Sequence, residues 1–271
     1  YGPSVAGLAV FAAGGLLDML WHLRFGIENG VSALLSPTHQ LLAFGMTLIL
    51  LGPVRAAILR GPVARFGAAL PALISLGTFL ALLDFFTQWT IVPGAGALAA
   101  PSVKFPELSG NALIEFEAYQ LSHGFLGMIV LGATMSGVVL FALRCGLLRF
   151  GGATLIVFLG TLALAYMRLS VSWAALSLLV VPSLFAGLTA DWFVLRLRAG
   201  EGPFWRVQLL GFALPFVFWF AHLIATGVRD HGYWWEVHAL TGSVVMAGFG
   251  GALLATLMGA LRSRAAAPNG G

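Results

Sequence analysis

The amino-acid sequence predicts an all-α polytopic transmembrane helical bundle of about eight spans. Of the 271 residues, 59% are hydrophobic and 9% are charged, whereas a soluble domain carries roughly 25% charged residues. The apolar stretches are long and do not alternate with polar residues, which favours helices over a β-barrel. Each span takes about 20 apolar residues. Eight spans with short loops therefore account for residues 1–271, which are predicted to form a single transmembrane domain.

The hydrophobic segments give the predicted order of the spans. They cover residues 4–23, 38–59, 67–92, 114–143, 150–167, 171–195, 204–226 and 236–261. Glycine-proline and glycine-glycine pairs mark several of their boundaries, as such pairs usually do. The fifth segment is the shortest, and the side assigned to every later loop depends on whether it crosses the membrane.

Basic residues set the predicted orientation. Ten of the fourteen lie after the second, fourth and sixth spans or at the C-terminus: Arg55, Arg60, Arg65, Arg144, Arg149, Arg196, Arg198, Arg206, Arg262 and Arg264. An excess of arginine and lysine marks the cytoplasmic side of a membrane protein, so both termini are predicted to be cytoplasmic. The net charge of +4 follows from this bias and does not indicate nucleic-acid binding.

All six histidines and eight of the ten carboxylates are then assigned to the opposite, outer face. The histidines are His22, His39, His123, His222, His231 and His238. Ionisable groups at the membrane boundary are costly and tend to mark function. This one-sided set of imidazoles and carboxylates predicts a metal or redox site on the periplasmic face of a bacterial inner membrane protein.

The richest polar stretch joins the first two spans. Asp18 and His22 are four residues apart near the end of the first span and therefore share one helix face. Ser36 is the predicted N-cap of the second span, with Pro37 in its first turn, and His39 then faces back toward the first span. We expect Asp18, His22 and His39 to converge as metal ligands. Alternatively, Asp18 orients the His22 ring, or the carboxylate merely satisfies a polar hairpin.

Three further histidines are predicted to bind a cofactor, by completing the hairpin site or by forming a second one. His123 lies in the fourth span on one helix face with Glu115, His222 near the end of the seventh span, and His238 at the start of the eighth. The tryptophans and the tyrosine that follow His231 predict an interfacial aromatic belt. His231 lies in the outer loop and is predicted to be a surface residue.

Two carboxylates lie inside predicted spans. Asp84, in the third span, needs a partner or a proton in that environment. Arg24 or Arg168 is the predicted partner, and the alternative is a proton relay toward the outer cluster. Asp191, at the cytoplasmic end of the sixth span, lies near Arg196 and Arg198 and is predicted to form a local ion pair with them.

The ligand types narrow the chemistry of the outer site. Imidazole with carboxylate suits copper, zinc, iron or nickel, and the single cysteine excludes a thiolate-rich or iron–sulfur site. On the outer face copper is favoured over zinc and iron, in a subunit of a membrane oxidoreductase or in a metal-handling protein. A b-type haem protein that transfers electrons is one alternative. A structural or transport subunit without a metal is another, and other membrane subunits are expected partners.

Two families resemble parts of this pattern. The Asp18–His22 pair followed by His39 on the next helix resembles the metal site in the C subunit of the copper membrane monooxygenases, the particulate methane and ammonia monooxygenase family. That resemblance is confined to these three residues, and the interval before His39 is longer than in that family. It implies copper as the bound ion. In layout alone, eight spans with His39, His123 and His238 on even-numbered spans are similar to haem A synthase, which implies haem. The sixth span has no histidine to match that layout.

Overall fold

Long helices that pack side by side make up the structure. The computed structural model describes residues 1–28, 30–61, 65–87, 109–168, 173–198, 205–230 and 232–265. Within these ranges all regular structure is helical. In chain order the helices are α1 (Gly2–Phe25), α2 (Val31–Leu35), α3 (Pro37–Leu59), α4 (Phe66–Thr87), α5 (Gly110–Arg144), α6 (Gly152–Arg168), α7 (Trp173–Arg198), α8 (Trp205–Asp230) and α9 (Val237–Ala265). The predicted all-α bundle is confirmed.

Seven helices in the described ranges are long and apolar enough to cross a membrane, so the chain is an integral membrane protein. Helix α6 is shorter, and its 17 residues extend over about 26 Å. It lies beside α4 and runs in the same direction, because Leu73 lies against Gly152 and Leu80 against Gly160. Helix α6 therefore follows the same course through the bundle as α4, and the predicted order of eight segments is kept.

Six of the helices form a ring. Their order around it is α4, α6, α7, α8, α9 and α5, and α5 returns to α4. Helix α3 packs on the outside of α4, and α1 packs on α3. The α1–α3 hairpin is therefore peripheral, and the large apolar side chains of Leu16, Leu20 and Leu23 on α1 are at least half exposed. In a bilayer this surface faces lipid.

Close helix packing and a few buried hydrogen bonds hold the ring together. Gly211 of α8 and Gly251 of α9 approach so closely that a side chain on Gly251 would overlap the backbone of Gly211. The Ser136 hydroxyl donates to the Gly211 carbonyl over 3.3 Å, and Trp219 Nε1 donates to the Met128 carbonyl over 2.9 Å. Because lipid tails are as apolar as the helices, such contacts drive helix association in membranes.

Alternating helix directions give the bundle two chemically different ends. The histidine end is formed by the ends of α1, α4, α6 and α8 and the starts of α3, α5, α7 and α9. The described histidines lie in the helix segments toward this end: His22, His39, His123, His222 and His238. The opposite, arginine end carries Arg55, Arg60, Arg65, Arg144, Arg149, Arg196 and Arg206. The predicted excess of arginines at the end opposite the histidines is present in the folded chain, and Arg24 and Arg229 lie at the histidine end.

The structure gives Asp191 a different partner from the predicted one. Its carboxylate caps the start of α6 by accepting hydrogen bonds from the N–H of Ala153 at 2.9 Å and the N–H of Thr154 at 3.1 Å. The Thr154 hydroxyl donates a third bond over 2.6 Å. The Arg196 guanidinium instead lies 5.1 Å from the ring centre of Trp192. The ion pair predicted with Arg196 is not formed because the cap satisfies the carboxylate within the bundle. The side chain of Arg198, the other predicted partner, lies outside the described part of the chain.

Asp84 also has a neutral partner. It is fully buried and accepts a hydrogen bond from the Thr134 hydroxyl over 3.1 Å. The guanidinium of Arg24, one of its two predicted partners, lies 5.2 Å from the ring centre of Phe25. The side chain of Arg168, the other predicted partner, lies outside the described part of the chain. A role of Asp84 as a proton relay stays a prediction.

We expect Gly45→Ala to destabilise the α1–α3 hairpin. A Cβ at Gly45 would lie 2.7 Å from the backbone nitrogen of Phe11, so the two helices would have to separate. Overpacking of this kind costs roughly 1–3 kcal/mol, and the midpoint of thermal unfolding in mild detergent should fall. Gly15→Ala is the control, because a Cβ there has nothing within 4 Å. Equal midpoints for the two variants would contradict the importance of this contact.

Candidate functional site

The site lies where α1 ends and α3 begins. Helix α1 ends at Phe25, and Gly26 follows with φ of 84°. Gly30 has φ of 65° and precedes the short helix α2. Both are left-handed conformations that glycine adopts without steric cost. These two turns reverse the chain within a few residues and return it to the face of α1 that carries Asp18.

Ser36 fixes the first turn of α3. As predicted, it is the N-cap, and its hydroxyl accepts a hydrogen bond from the backbone N–H of His39 over 3.3 Å. Pro37 occupies the first turn, also as predicted. This cap fixes the orientation of the first turn about the axis of α3. The side chains of Thr38 and His39 consequently reach Asp18 on α1.

Asp18, His22 and His39 converge, as the sequence predicts. Asp18 Oδ2 lies 3.2 Å from His22 Nε2, and Asp18 Oδ1 lies 3.3 Å from His39 Nδ1. The two imidazole rings are 5.9 Å apart between centres, at an angle of 67°. One potential ligand atom from each residue lies within 4.8 Å of the others. Among the described residues, no other set of three histidine, cysteine or acidic side chains meets this condition.

A chain of hydroxyl groups holds Asp18 in place. The Thr38 hydroxyl donates to Asp18 Oδ1 over 2.6 Å, and its oxygen is 3.3 Å from the Ser36 hydroxyl. Ser36 Oγ is also 2.6 Å from His39 Nδ1. These bonds engage the Oδ1 side of the carboxylate. Asp18 Oδ2 is left facing His22.

Glu28 is a part of the site that sequence reasoning missed. Its Oε2 lies 3.1 Å from His22 Nδ1, and Trp21 Nε1 donates a hydrogen bond to its Oε1. The Gly26 carbonyl lies 3.2 Å from the same His22 nitrogen. A proton on Nδ1 therefore has two acceptors beside it, the Gly26 carbonyl and Glu28, while Nε2 faces Asp18 Oδ2. One sequence feature could have pointed to Glu28, because it is the sole carboxylate between α1 and α3.

The cluster is partly open to its surroundings. The side chains of His22 and His39 are 26% and 27% exposed, while those of Asp18 and Glu28 are 17% and 18% exposed. An ion or small molecule can therefore reach the imidazoles. The more shielded carboxylates lie in a medium of lower dielectric constant than water, which strengthens their attraction for a cation.

His222 lies elsewhere and is buried in the ring. It is 5% exposed, and its Nδ1 donates a hydrogen bond to the Leu178 carbonyl over 2.7 Å. Its ring packs edge-on against Trp219 and parallel to Phe218. These contacts tie α7 to α8, so His222 has a packing role that its position in the sequence did not predict.

His123 and His238 are also separate from the hairpin cluster. The His123 ring stacks on Tyr119 with 3.9 Å between ring centres, and its Nδ1 donates to the Tyr119 carbonyl over 3.0 Å. His238 is exposed at the start of α9. The one three-residue ligand group in the described ranges does not include them. Cofactor binding by His123, His222 and His238 stays a prediction, and His231 lies outside the described residues.

Comparisons with known proteins give no match for this chain. No family model, no curated protein and no solved structure matches it. The resemblance of Asp18, His22 and His39 to the copper monooxygenase site therefore rests on those three residues.

We expect loss of the Asp18 carboxylate to loosen the hairpin even when a chelator has removed all metal. Asp18→Ala leaves the Thr38 hydroxyl without its partner, at a cost of about 1–3 kcal/mol, so the midpoint of thermal unfolding in mild detergent should fall. Asp18→Asn keeps an acceptor oxygen and should fall less. Glu115→Ala, which removes an exposed carboxylate from α5, is the control. A wild-type midpoint for Asp18→Ala in chelator would show that these bonds do not stabilise the hairpin.

Proposed function

We propose that this integral membrane protein binds a divalent transition-metal ion between Asp18, His22 and His39. The observation that carries the proposal is the convergence of two imidazoles and one carboxylate, with potential ligand atoms within 4.8 Å of one another. The nitrogen–oxygen separations are 3.2 and 3.3 Å. Two ligand atoms of a tetrahedral ion, each bound at about 2.0–2.1 Å, are about 3.3 Å apart. The two nitrogen–oxygen pairs match this spacing, and the third pair, the two ring nitrogens, lies within 4.8 Å.

The contacts behind His22 support metal ligation. Metal-binding histidines usually donate their second ring N–H to a carbonyl or carboxylate, which fixes the tautomer and the ring orientation. Here the Gly26 carbonyl and Glu28 lie at Nδ1, while Nε2 faces Asp18. The carboxylates of Asp18 and Glu28 also place two acidic groups around the position that a divalent cation would occupy.

The ligand set favours copper among the possible ions. Nitrogen and oxygen ligands without a thiolate suit copper(II), zinc, nickel and iron(II), and the single cysteine, Cys145, lies at the arginine end. Copper(II) binds most tightly of these in the Irving–Williams order, so we propose copper as the ion. Two histidines and one carboxylate also form the facial ligand set of non-haem iron(II) sites, which makes iron the second candidate.

The position and openness of the site favour a reaction or metal transfer. Three protein ligands leave a coordination position free, as in catalytic metal sites, and His22 and His39 are each about a quarter exposed. The hairpin lies outside the ring of helices, so the ion would be at the edge of the bundle and away from any path through its centre. We therefore propose a metal-binding subunit of a membrane oxidoreductase, or a metal-handling protein, over a transporter.

We expect protein purified in mild detergent to contain copper in near-stoichiometric amount by elemental analysis. His22→Ala and His39→Ala should each lose the ion, because each removes one of three ligands, while the chain still inserts into the membrane. Paramagnetic resonance of the wild type should show copper(II) with nitrogen ligands. Glu115→Gln, at the same end of the bundle and outside the cluster, should keep the wild-type metal content.

Other outcomes of the same measurement separate the alternatives. If the wild type contains iron or zinc and His22→Ala loses it, the assignment of the site holds and only the identity of the ion changes. Unchanged metal content in His22→Ala and His39→Ala would contradict the assignment of these residues as metal ligands. So would a wild-type protein that neither contains metal nor binds added copper. A Soret band with sharp α-bands, lost on substitution of His123 or His238, would favour the b-type haem alternative.

A further inference from the structure

A cavity of about 310 Å³ opens at the arginine end, between the last turns of α7 and the first turns of α8. Two tryptophans and two arginines line it, Trp192 and Arg196 from α7 and Trp205 and Arg206 from α8. The rest of the lining consists of leucine and phenylalanine side chains. This cavity is separate from the metal site, because the two lie at opposite ends of the bundle.

The two guanidinium groups lie over the faces of the two tryptophans. Arg196 is 5.1 Å from the ring centre of Trp192, and Arg206 is 5.6 Å from that of Trp205. Neither Arg196 nor Arg206 forms a salt bridge with another described side chain. Asp191, one turn before Arg196, is engaged by the start of α6. Within the described part of the chain, the cavity thus holds two positive charges without a counter-ion.

We propose that this cavity binds the phosphate of an anionic phospholipid. Arginine recognises phosphate through two parallel N–H bonds, and its flat guanidinium stacks on aromatic rings while doing so. Tryptophans mark the level of the lipid head groups. The arginine excess at this end is what the positive-inside rule predicts for the cytoplasmic face, where anionic lipids attract basic clusters.

The walls of the cavity distinguish a lipid from a free anion. The volume is at the lower end of that found for small-molecule sites, so it admits a head group and leaves the acyl chains outside. Leu188, Leu195 and Leu209 on α7 and α8 are 41% to 48% exposed and give the acyl chains an apolar surface to follow. A soluble phosphate would bind the guanidiniums but gain nothing from these apolar walls.

Native mass spectrometry of the detergent-purified protein tests the proposal, with phosphatidylglycerol, phosphatidylcholine and inorganic phosphate as probes. The wild type should retain phosphatidylglycerol in preference to phosphatidylcholine. Each arginine near an anionic head group contributes about a fivefold gain in affinity, so Arg196→Gln/Arg206→Gln should bind phosphatidylglycerol about 25-fold more weakly. Arg55→Gln/Arg60→Gln removes two exposed arginines at the end of α3, outside the cavity, and should weaken binding less than the cavity variant does.

Three results would overturn the proposal. They are equal retention of phosphatidylglycerol by the cavity variant and the wild type, equal retention of both lipids by the wild type, and displacement of the lipid by inorganic phosphate at similar concentration. The last result would identify a site for soluble anions. If the double variant does not fold, the single variants Arg196→Gln and Arg206→Gln decide the question, each with an expected loss of about fivefold.

Discussion

The glycine contact between α1 and α3 is the interaction on which the hairpin site depends. On each helix the glycines are seven residues apart, which places them on one face two turns from each other: Gly7 and Gly14 on α1, and Gly45 and Gly52 on α3. Backbones can approach closely only where the side chains are this small. The two helix axes are consequently near enough for short side chains, an aspartate and a threonine, to form a direct hydrogen bond.

The polar cluster exists because each of its members satisfies another at the membrane boundary. Ionisable groups are costly there unless they are paired, and a carboxylate between two imidazoles relieves that cost for all three. The cluster also has features that mutual pairing does not require. Glu28 brings a second carboxylate to His22, and His22 and His39 stay partly exposed. A metal cation bound by the partly exposed imidazoles would also be stabilised by the two carboxylates beside them.

The two proposed sites arise from one property of the fold, the regular alternation of helix direction. Each crossing moves the chain from the arginine end to the histidine end or back, so residues distant in sequence collect at one end. The short helix α6 is essential to this alternation, because without its crossing the later histidines would change sides. Its position beside α4, parallel to it, is fixed by small residues at the interface, and by the Asp191 carboxylate that caps its start.

Spacing along the chain is enough to predict the eight apolar segments, the cap at Ser36, and the meeting of Asp18 and His22 with His39. These features depend on local periodicity and on residues within one tight hairpin, where spacing alone sets which side chains face each other. Three features appear only in the folded chain: the hairpin lies outside the ring, Glu28 turns back onto His22, and Asp191 caps another helix. Those contacts depend on which helices pack together and on the path of a loop, and neither is specified by the spacing of residues along one helix.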